Sequence, residues 1–474
     1  MNDEIGFPPK PFLVRILKWK FLTGSVLLIG TIAIGLTFRA SRIMGIPDIG
    51  DPFDVEQFVD IDIAPEDNAL KDYEAAVAAV VPLAESFRDQ LNSDLDAAYD
   101  GRWDAVRRDV QQWVRDNAKA IELWKQGTEK KSYIYHNPRD GNIITLLPVV
   151  QGIRNVARIA VLDISRLLAE EKPHEAWLRC RALMRCSRHV ATYGTAIERL
   201  VAAVTYAQAT HAALTVCEHA GTDESLLEEM MEDVREIYQK TVPLSMVVKC
   251  NYLMMKNTYH NRELMMGNEI EFWPRLELQA ANFLLNEPRH AQLVWQQYTA
   301  NVLDQIDRPR REQQARIGIF ELFERDPATE YPENLLTPDV LEQKCHESTL
   351  AEKTIPDLGG LEHYCLQEHV RKEALVMAIG ARMYYLQYGE YPMDLETLVD
   401  EGLLDEYPLD PSSYDVEVMG YRVEGNKVYI WGNGDDGVNN DGRWLESDNP
   451  EHQYVDIGII LGREKDDSVE AQKP

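Results

Sequence analysis

Apolar residues recur at helical spacing through most of the chain between residues 65 and 366. The stretch "DESLLEEMMEDVREIYQ", residues 223–239, is the clearest case, because its apolar side chains fall three or four positions apart with acids opposite. Gly221 before it is typical of a helix end, and Thr222 is suited to cap the helix that follows. The same spacing predicts helices over residues 69–91, 103–124, 143–168, 174–190 and 197–219.

Short breaks containing glycine or proline separate these stripes, for example at Gly127, Pro173 and Gly194. Such breaks reverse the direction of the chain and place successive helices antiparallel. No signature returns at a constant spacing, as it would in a helical solenoid. We therefore predict a helical domain over residues 65–325, built as an irregular bundle or array.

Four prolines between residues 326 and 360 give that stretch the composition of a loop, and we interpret it as a linker. Beyond it the pattern changes type. A helix is predicted from Leu361 to Tyr388, with one apolar face formed by Leu375, Ile379, Met383 and Leu386.

A β-hairpin is predicted in "GYRVEGNKVYIWG", residues 420–432. Tyr421 and Val423 alternate opposite Val428 and Ile430, and two residues, Gly-Asn, form the turn between them. Residues 361–460 therefore predict a small α+β module made of a long helix, a short helix, a hairpin and an acidic loop. The polar tail, residues 461–474, is predicted to be disordered.

The segment from Phe21 to Phe38 contains no charged residue and is long enough to cross a bilayer as a helix. A cleaved signal peptide is one alternative, but its apolar core usually covers only about 7–15 residues and no small-residue cleavage site follows. A buried core helix is the other alternative, which the basic residues on both sides disfavour. We predict a transmembrane helix at 21–38, preceded by a short segment at 1–20 and followed by an acidic linker at 39–64.

Basic residues near this helix indicate its orientation. Four lie before it and two directly after it: Lys10, Arg15, Lys18, Lys20, Arg39 and Arg42. Because the side richer in Lys and Arg stays in the cytoplasm, we expect a cytoplasmic N-terminus. The bulk of the chain would then lie on the non-cytoplasmic side of a bacterial inner membrane.

The formal net charge is −30, and residues 394–474 contain 21 acidic and only 6 basic side chains. Such a surface repels phosphates, so we expect no nucleic-acid partner. It suits cations or basic protein surfaces instead.

Six cysteines are present, without a C-x-x-C pair, so neither a zinc ribbon nor a thioredoxin-like site is indicated. Cys180 and Cys186 fall on one predicted helix, where six residues of rise separate them too far for a disulfide. Buried free thiols are therefore the favoured interpretation.

The stretch "WGNGDDGVNNDGR", residues 431–443, concentrates acids, amides and glycines. Calcium prefers a flexible shell of carboxylate, amide and main-chain oxygens, and the glycines allow the backbone to curl around an ion. The EF-hand pattern is not met, and a solvated polar turn is the alternative. Asp448 or Asp456 could complete the shell. The predicted calcium ligands are Asp435, Asp436, Asn439 and Asp441.

Motifs for catalysis are missing from the sequence. No G-x-S-x-G, P-loop or G-x-G-x-x-G follows a predicted strand, and the histidines and cysteines lack the spacing of a transition-metal site. We therefore name no catalytic residue and expect the protein not to be an enzyme.

The C-terminal part resembles the soluble domain of the major pseudopilins of type II secretion systems. The resemblance rests on "YGEYP" at 388–392, "PLDP" at 408–411, the hairpin, and "GDDGVNNDG" at 434–442. It implies a long helix, a short helix, β-strands and a structural calcium loop. The chain differs from that family because residues 39–360 separate the membrane helix from this module and the membrane helix contains no glutamate. The whole layout also looks like that of membrane-anchored envelope proteins of planctomycete-type bacteria.

Together these features predict a membrane-anchored envelope protein with an interaction or scaffolding role. The resemblance links that role to a secretion or pilus-like system, with protein partners in the envelope and calcium acting structurally. The alternative is an exported, hydrolase-like enzyme whose site lies in the helical domain and has no sequence motif.

Overall fold

A computed structural model describes residues 10–84, 90–142, 148–260, 283–324, 334–355, 358–442 and 456–462. Helices make up most of this described chain, as predicted. They are α1 (Lys10–Ser41), α2 (Val55–Val59), α3 (Leu70–Ala79), α4 (Leu91–Tyr99), α5 (Arg108–Asp116), α6 (Ala118–Thr128), α7 (Pro148–Ala169), α8 (Pro173–Ala191), α9 (Ala196–Glu218), α10 (Glu224–Gln239), α11 (Leu244–His260), α12 (Glu287–Leu303), α13 (Pro338–His346), α14 (Thr349–Thr354), α15 (Leu358–Tyr388) and α16 (Leu395–Asp400).

The described strands are short. β1 (Arg316–Ile317) pairs with β2 (Leu322–Phe323), and β3 (Gly420–Glu424), β4 (Lys427–Gly432) and β5 (Ile457–Leu461) form an antiparallel sheet in that order. The hairpin register is the predicted one, with Tyr421 opposite Ile430 and Val423 opposite Val428. β5 was not predicted from the sequence.

The helix over residues 224–239 buries the predicted apolar stripe. Its cap differs from the prediction, because the side chain of Asp223 accepts the N–H of Leu226 at 3.0 Å. Thr222 is instead buried, and its hydroxyl donates to the carbonyl of Val216. A carboxylate at the N-cap also interacts favourably with the helix dipole, which explains why Asp takes this position.

The stripe predicted over residues 103–124 is divided into a 3₁₀ turn, α5 and α6. Asn117 lies at the division and is fully buried. Its side chain donates to the carbonyl of Trp113 and accepts the N–H of Val81, both at 2.8 Å. These bonds satisfy the polar groups of the buried amide and connect the break to the segment that follows α3.

Two compact units are formed by the described residues. One contains those within 53–254, 299–324 and 356–474, and the other contains those within 1–52, 255–298 and 325–355. Residues 65–325, predicted as one helical domain, contribute to both units. The predicted linker also contains α13 and α14, because Pro338 occupies the first turn of a helix, where a missing N–H costs nothing.

The larger unit has a continuous apolar core built from α3 to α10, α15 and the sheet. Trp124 and Trp177 are fully buried in it, and Trp103 and Trp113 are nearly so. On α15 the predicted apolar face is buried at Leu375, Ile379 and Met383, but Leu386 is exposed. All six cysteines are buried and free, and burial raises the pKa of the Cys186 thiol to about 11.

Two described helices are long and apolar enough to span a bilayer: Thr23–Ser41 within α1, and α9. They differ in environment. About two thirds of the apolar window of α9 is buried inside the larger unit, whereas none of the window in α1 is buried. The predicted tail beyond residue 462 lies outside the described residues.

Candidate functional site

The acidic loop begins where β4 ends, and the "PLDPSS" segment holds it there. The buried carboxylate of Asp410 accepts the N–H groups of Ser412 and Asn433, both at 2.8 Å. The hydroxyl of Ser412 accepts the N–H of Gly434 at 3.1 Å. A side chain at Gly432 would lie 2.6 Å from the Asp410 carboxylate, so glycine is required for this close approach. The sequence did not indicate that Asp410 anchors the acidic loop.

Two of the predicted calcium ligands bond to the loop's own donors. Asp436 accepts the N–H of Val438 at 3.0 Å through its side chain. The side-chain oxygen of Asn439 accepts the indole N–H of Trp431 at 3.0 Å and the N–H of Asp441 at 2.9 Å. Such bonds are typical of turns in which Asn and Asp stabilise the backbone two residues on.

The other two predicted ligands have different surroundings. The carboxylate of Asp435 contacts the imidazole of His363 on α15. Asp441 has a positive φ of 58°, and its carbonyl accepts a hydrogen bond from Arg422 at 2.9 Å.

Asp456, at the start of β5, closes the loop. Its carboxylate, almost completely buried, accepts the N–H of Asn440 at 3.1 Å and that of Gly442 at 2.7 Å. Main-chain donors stabilise a buried carboxylate, so Asp456 is a structural anchor for the loop. Asp448 lies outside the described residues.

A guanidinium group lies against the start of the loop. Arg310 donates to the carbonyls of Ser412 at 3.2 Å and Gly434 at 3.0 Å, and also to that of Asp435. It donates to the hydroxyl of Tyr414 at 2.7 Å and lies 4.3 Å from the centre of that ring. Several oxygens thus converge on one cation that the chain itself supplies. Nothing in the sequence near Arg310 indicated this contact.

The described acidic side chains of the loop are not arranged around a common point that calcium could occupy. Among the described residues, no three His, Cys, Asp or Glu side chains form a group that could hold a metal. Asp435, Asp436 and Asp441 therefore do not form such a group in this conformation. Calcium binding would require the Asp435–His363 pair to separate and the loop to rearrange, and the calcium site stays a prediction.

A second charged cluster lies inside the helical core. Glu368 of α15 accepts a hydrogen bond from Arg199 of α9 at 2.8 Å and forms an ion pair with Arg188 of α8. All three side chains are buried, Glu368 with only 1% of its surface exposed. Glu368 continues the helical spacing of Leu361, Cys365 and Leu375, so a charge on an apolar stripe was the available sequence signal.

Electrostatics in this cluster are set by the two arginines. Burial alone would raise the pKa of Glu368, but the guanidinium groups outweigh it and hold the pKa at about 2. Arg188 also lies 4.6 Å from the ring centre of Tyr206 and 5.6 Å from that of Tyr238. The ion pairs join α8, α9 and α15, and the contact with Tyr238 adds α10.

A groove of about 500 Å³ lies beside α10. Its walls carry Glu228, Glu232, Glu236 and Asp405, and Arg235 pairs with Asp405 at 2.9 Å. The hydrogen bond from Lys240 lowers the pKa of Glu236. That shift is opposite to the raised pKa that a carboxyl general acid requires.

No protein-family model, curated protein or solved structure matches this chain.

Proposed function

We propose that this protein is anchored in a bacterial inner membrane by α1, with the bulk of the chain on the non-cytoplasmic side. The observation that carries the proposal is the exposure of aliphatic side chains along α1, such as Leu27 at 71% and Ile34 at 73%. A water-soluble protein rarely exposes so long an apolar surface, whereas lipid would cover it. The basic residues before the span support the orientation.

The exported part acts as an interaction or scaffolding protein rather than an enzyme. Glu368, whose pKa is strongly lowered, is enclosed in the core, where it joins helices and no substrate reaches it. The described acidic groove contains a glutamate whose pKa is lowered, not raised. These features support a rigid, acidic body that presents surfaces to partners.

The C-terminal part serves as a pseudopilin-like module in an envelope assembly related to secretion or pilus systems. The order of elements supports this: long helix α15, short helix α16, the "PLDP" segment, the hairpin and the acidic loop. Calcium stabilises that loop through Asp435, Asp436, Asn439 and Asp441 when it binds. The crowding of three acids within seven residues supports a bound cation, because their charges repel.

The membrane proposal is tested by expressing the full chain, with a C-terminal tag, in a Gram-negative host. We expect the protein to remain in membranes washed with alkaline carbonate. Ile29→Lys with Ile34→Lys should release it, because each lysine in a span costs about 3 kcal/mol. Release of the unmodified chain, or retention of the double variant, would contradict the proposal.

Orientation is tested separately by adding protease to spheroplasts of the same host. The tag should be digested before lysis if the bulk of the chain is exported. Protection of the tag until lysis would contradict the assigned orientation while leaving the anchor itself intact.

A further inference from the structure

A row of exposed apolar side chains lies on one side of the C-terminal module. Leu409 and Val418 face each other in an antiparallel bridge outside the main sheet. Tyr407 lies two residues before Leu409 in an extended segment and therefore on the same side, and Val416 lies two residues before Val418. All four are exposed, Val416 at 74% and Val418 at 49%. We call this set, Tyr407, Leu409, Val416 and Val418, the apolar row.

Beside the bridge, the opposite side of the two segments is buried. Asp410 and Met419, which follow Leu409 and Val418, are 3% and 1% exposed, whereas Glu406 and Glu417 are exposed. The exposure of Leu409 and Val418 is therefore not a consequence of a loosely packed loop. Monomeric proteins tend to scatter such residues singly, and an adjacent set marks an interaction surface.

The edge of the sheet next to this row is open. The N–H of Met419 donates to Pro408 at 2.9 Å, on the side of the strand away from β4. Because main-chain groups alternate along a strand, Tyr421 and Val423 direct their N–H and C=O groups to that same side. Within the part of the chain that the structure describes, those groups form no hydrogen bond to another segment. They are a template for one more strand.

Charge identifies the occupant of this edge. Residues 389–426 contain eleven acidic side chains and one basic one, Arg422. Asp415 and Glu417 are exposed on either side of Val416, and Asp405 and Glu406 precede Tyr407. A cationic strand gains from this field, whereas a second copy of the chain brings the same negative charge and is repelled.

We infer that β3 and the apolar row form a docking edge for an extended, cationic segment of a partner protein, which adds to the sheet as a strand. Main-chain bonds to Tyr421 and Val423 supply the pairing, and alternate apolar side chains of the partner pack beside Tyr407 and Leu409. This inference deepens the interaction role proposed above and rests on it.

The test uses the full chain in detergent micelles and a seven-residue peptide of alternating lysine and valine. Two control peptides have glutamate in place of lysine, or methylated main-chain nitrogens along one edge. Affinity is measured by fluorescence anisotropy, and hydrogen exchange is followed at the amides of Tyr421 and Val423. The protein variants are Val418→Lys and, as a matched control, Val204→Lys on α9, where the valine is 45% exposed.

We expect the lysine peptide to bind and to slow exchange at both amides. Val418→Lys and methylation should each weaken binding about tenfold or more, while Val204→Lys leaves it unchanged. The glutamate peptide should not bind.

Equal binding by the methylated peptide, or unchanged exchange at both amides, would overturn strand addition. Self-association of the chain that Val418→Lys abolishes would overturn the choice of partner in favour of a second copy. Val418→Lys should still remain in membranes washed with alkaline carbonate, because it does not alter α1. Failure of the docking proposal therefore changes peptide binding only, and failure of the membrane proposal changes membrane retention only.

Discussion

Two arginine clusters in the larger unit show how solvent changes the role of the same residue types. In the core, Arg188 and Arg199 hold Glu368 with almost no access to water. At the acidic loop, Arg310 binds carbonyls at the surface and is only partly buried. Removing a charge in the core leaves its partners desolvated, whereas the loop's oxygens can return to water. Breaking the core cluster should therefore cost more stability than breaking the loop contact, to which the loop can adjust.

The largest effect should come from Glu368→Gln. The variant leaves two buried guanidinium groups without a carboxylate, and breaking a buried ion pair in this way costs about 3–5 kcal/mol. The free energy of unfolding of the full chain in detergent, measured with denaturant, should fall by that amount.

A matched control lies on the same helix at Glu362, which pairs with Arg316 and is partly exposed. Glu362→Gln should cost about 1 kcal/mol or less, because water replaces the lost partner. Equal losses in the two variants would show that burial does not distinguish the clusters as we argue.

A buried histidine, His189, should make the stability of the larger unit depend on pH. His189 is buried, with its ring bonded to the hydroxyl of Tyr73 at 2.8 Å and the carbonyl of Lys130 at 3.1 Å. Burial lowers the pKa of His189 to about 4. Between that value and about 6.5 the unfolded chain binds a proton that the folded chain does not, so stability falls as the pH falls through this window. The loss should reach roughly 3 kcal/mol by pH 4.

The measurement is the free energy of unfolding between pH 7.5 and pH 4, for the unmodified chain and for His189→Gln. The slope should flatten in the variant and persist in part, because burial also lowers the pKa of His369 to about 4. An unchanged slope in His189→Gln would refute the assignment.

The sequence predicts the helices and the hairpin of this unit but not its two arginine clusters. Periodicity identifies the helices and alternation identifies the hairpin, because both depend on local spacing that burial then enforces. The Arg310 contact joins positions more than a hundred residues apart, and the Glu368 cluster joins three helices. Such pairings depend on tertiary packing, for which a single sequence carries no local pattern.

The acidic loop shows the same limit within one motif. Its composition is typical both of a calcium loop and of a polar turn, and Asp436 and Asn439 form the side-chain to main-chain bonds of such a turn. Composition does not show which oxygens are taken by the loop's own N–H groups, nor that Asp410 and Asp456 anchor the loop from outside it. Those bonds depend on how β4 and β5 pair.

At the surface cluster, Arg310→Ala should have a smaller effect than Glu368→Gln. The variant removes several charge-assisted hydrogen bonds, but the freed carbonyls are hydrated, so we expect a loss of about 2 kcal/mol confined to the loop. Hydrogen exchange at residues 434–437 should accelerate while the helical core stays protected. Arg308→Ala, which removes an exposed pair with Asp304, is the control and should change neither. Accelerated exchange throughout the core would show that Arg310 stabilises the whole core, as Arg199 does, and would contradict the distinction between the clusters.

Calcium should have the smallest effect on stability. Its binding tests directly whether the acidic loop can rearrange. If the ion draws in Asp435 and Asp441, it must first separate Asp435 from His363, and that cost limits the gain. At a calcium concentration about five times Kd, the stabilisation would be about 1 kcal/mol. The melting temperature of the full chain should rise with calcium but not with magnesium, and the rise should vanish in Asp435→Asn yet persist in Asp415→Asn. If calcium leaves the melting temperature unchanged, the loop binds no calcium ion, and Arg310 is the cation that stabilises it.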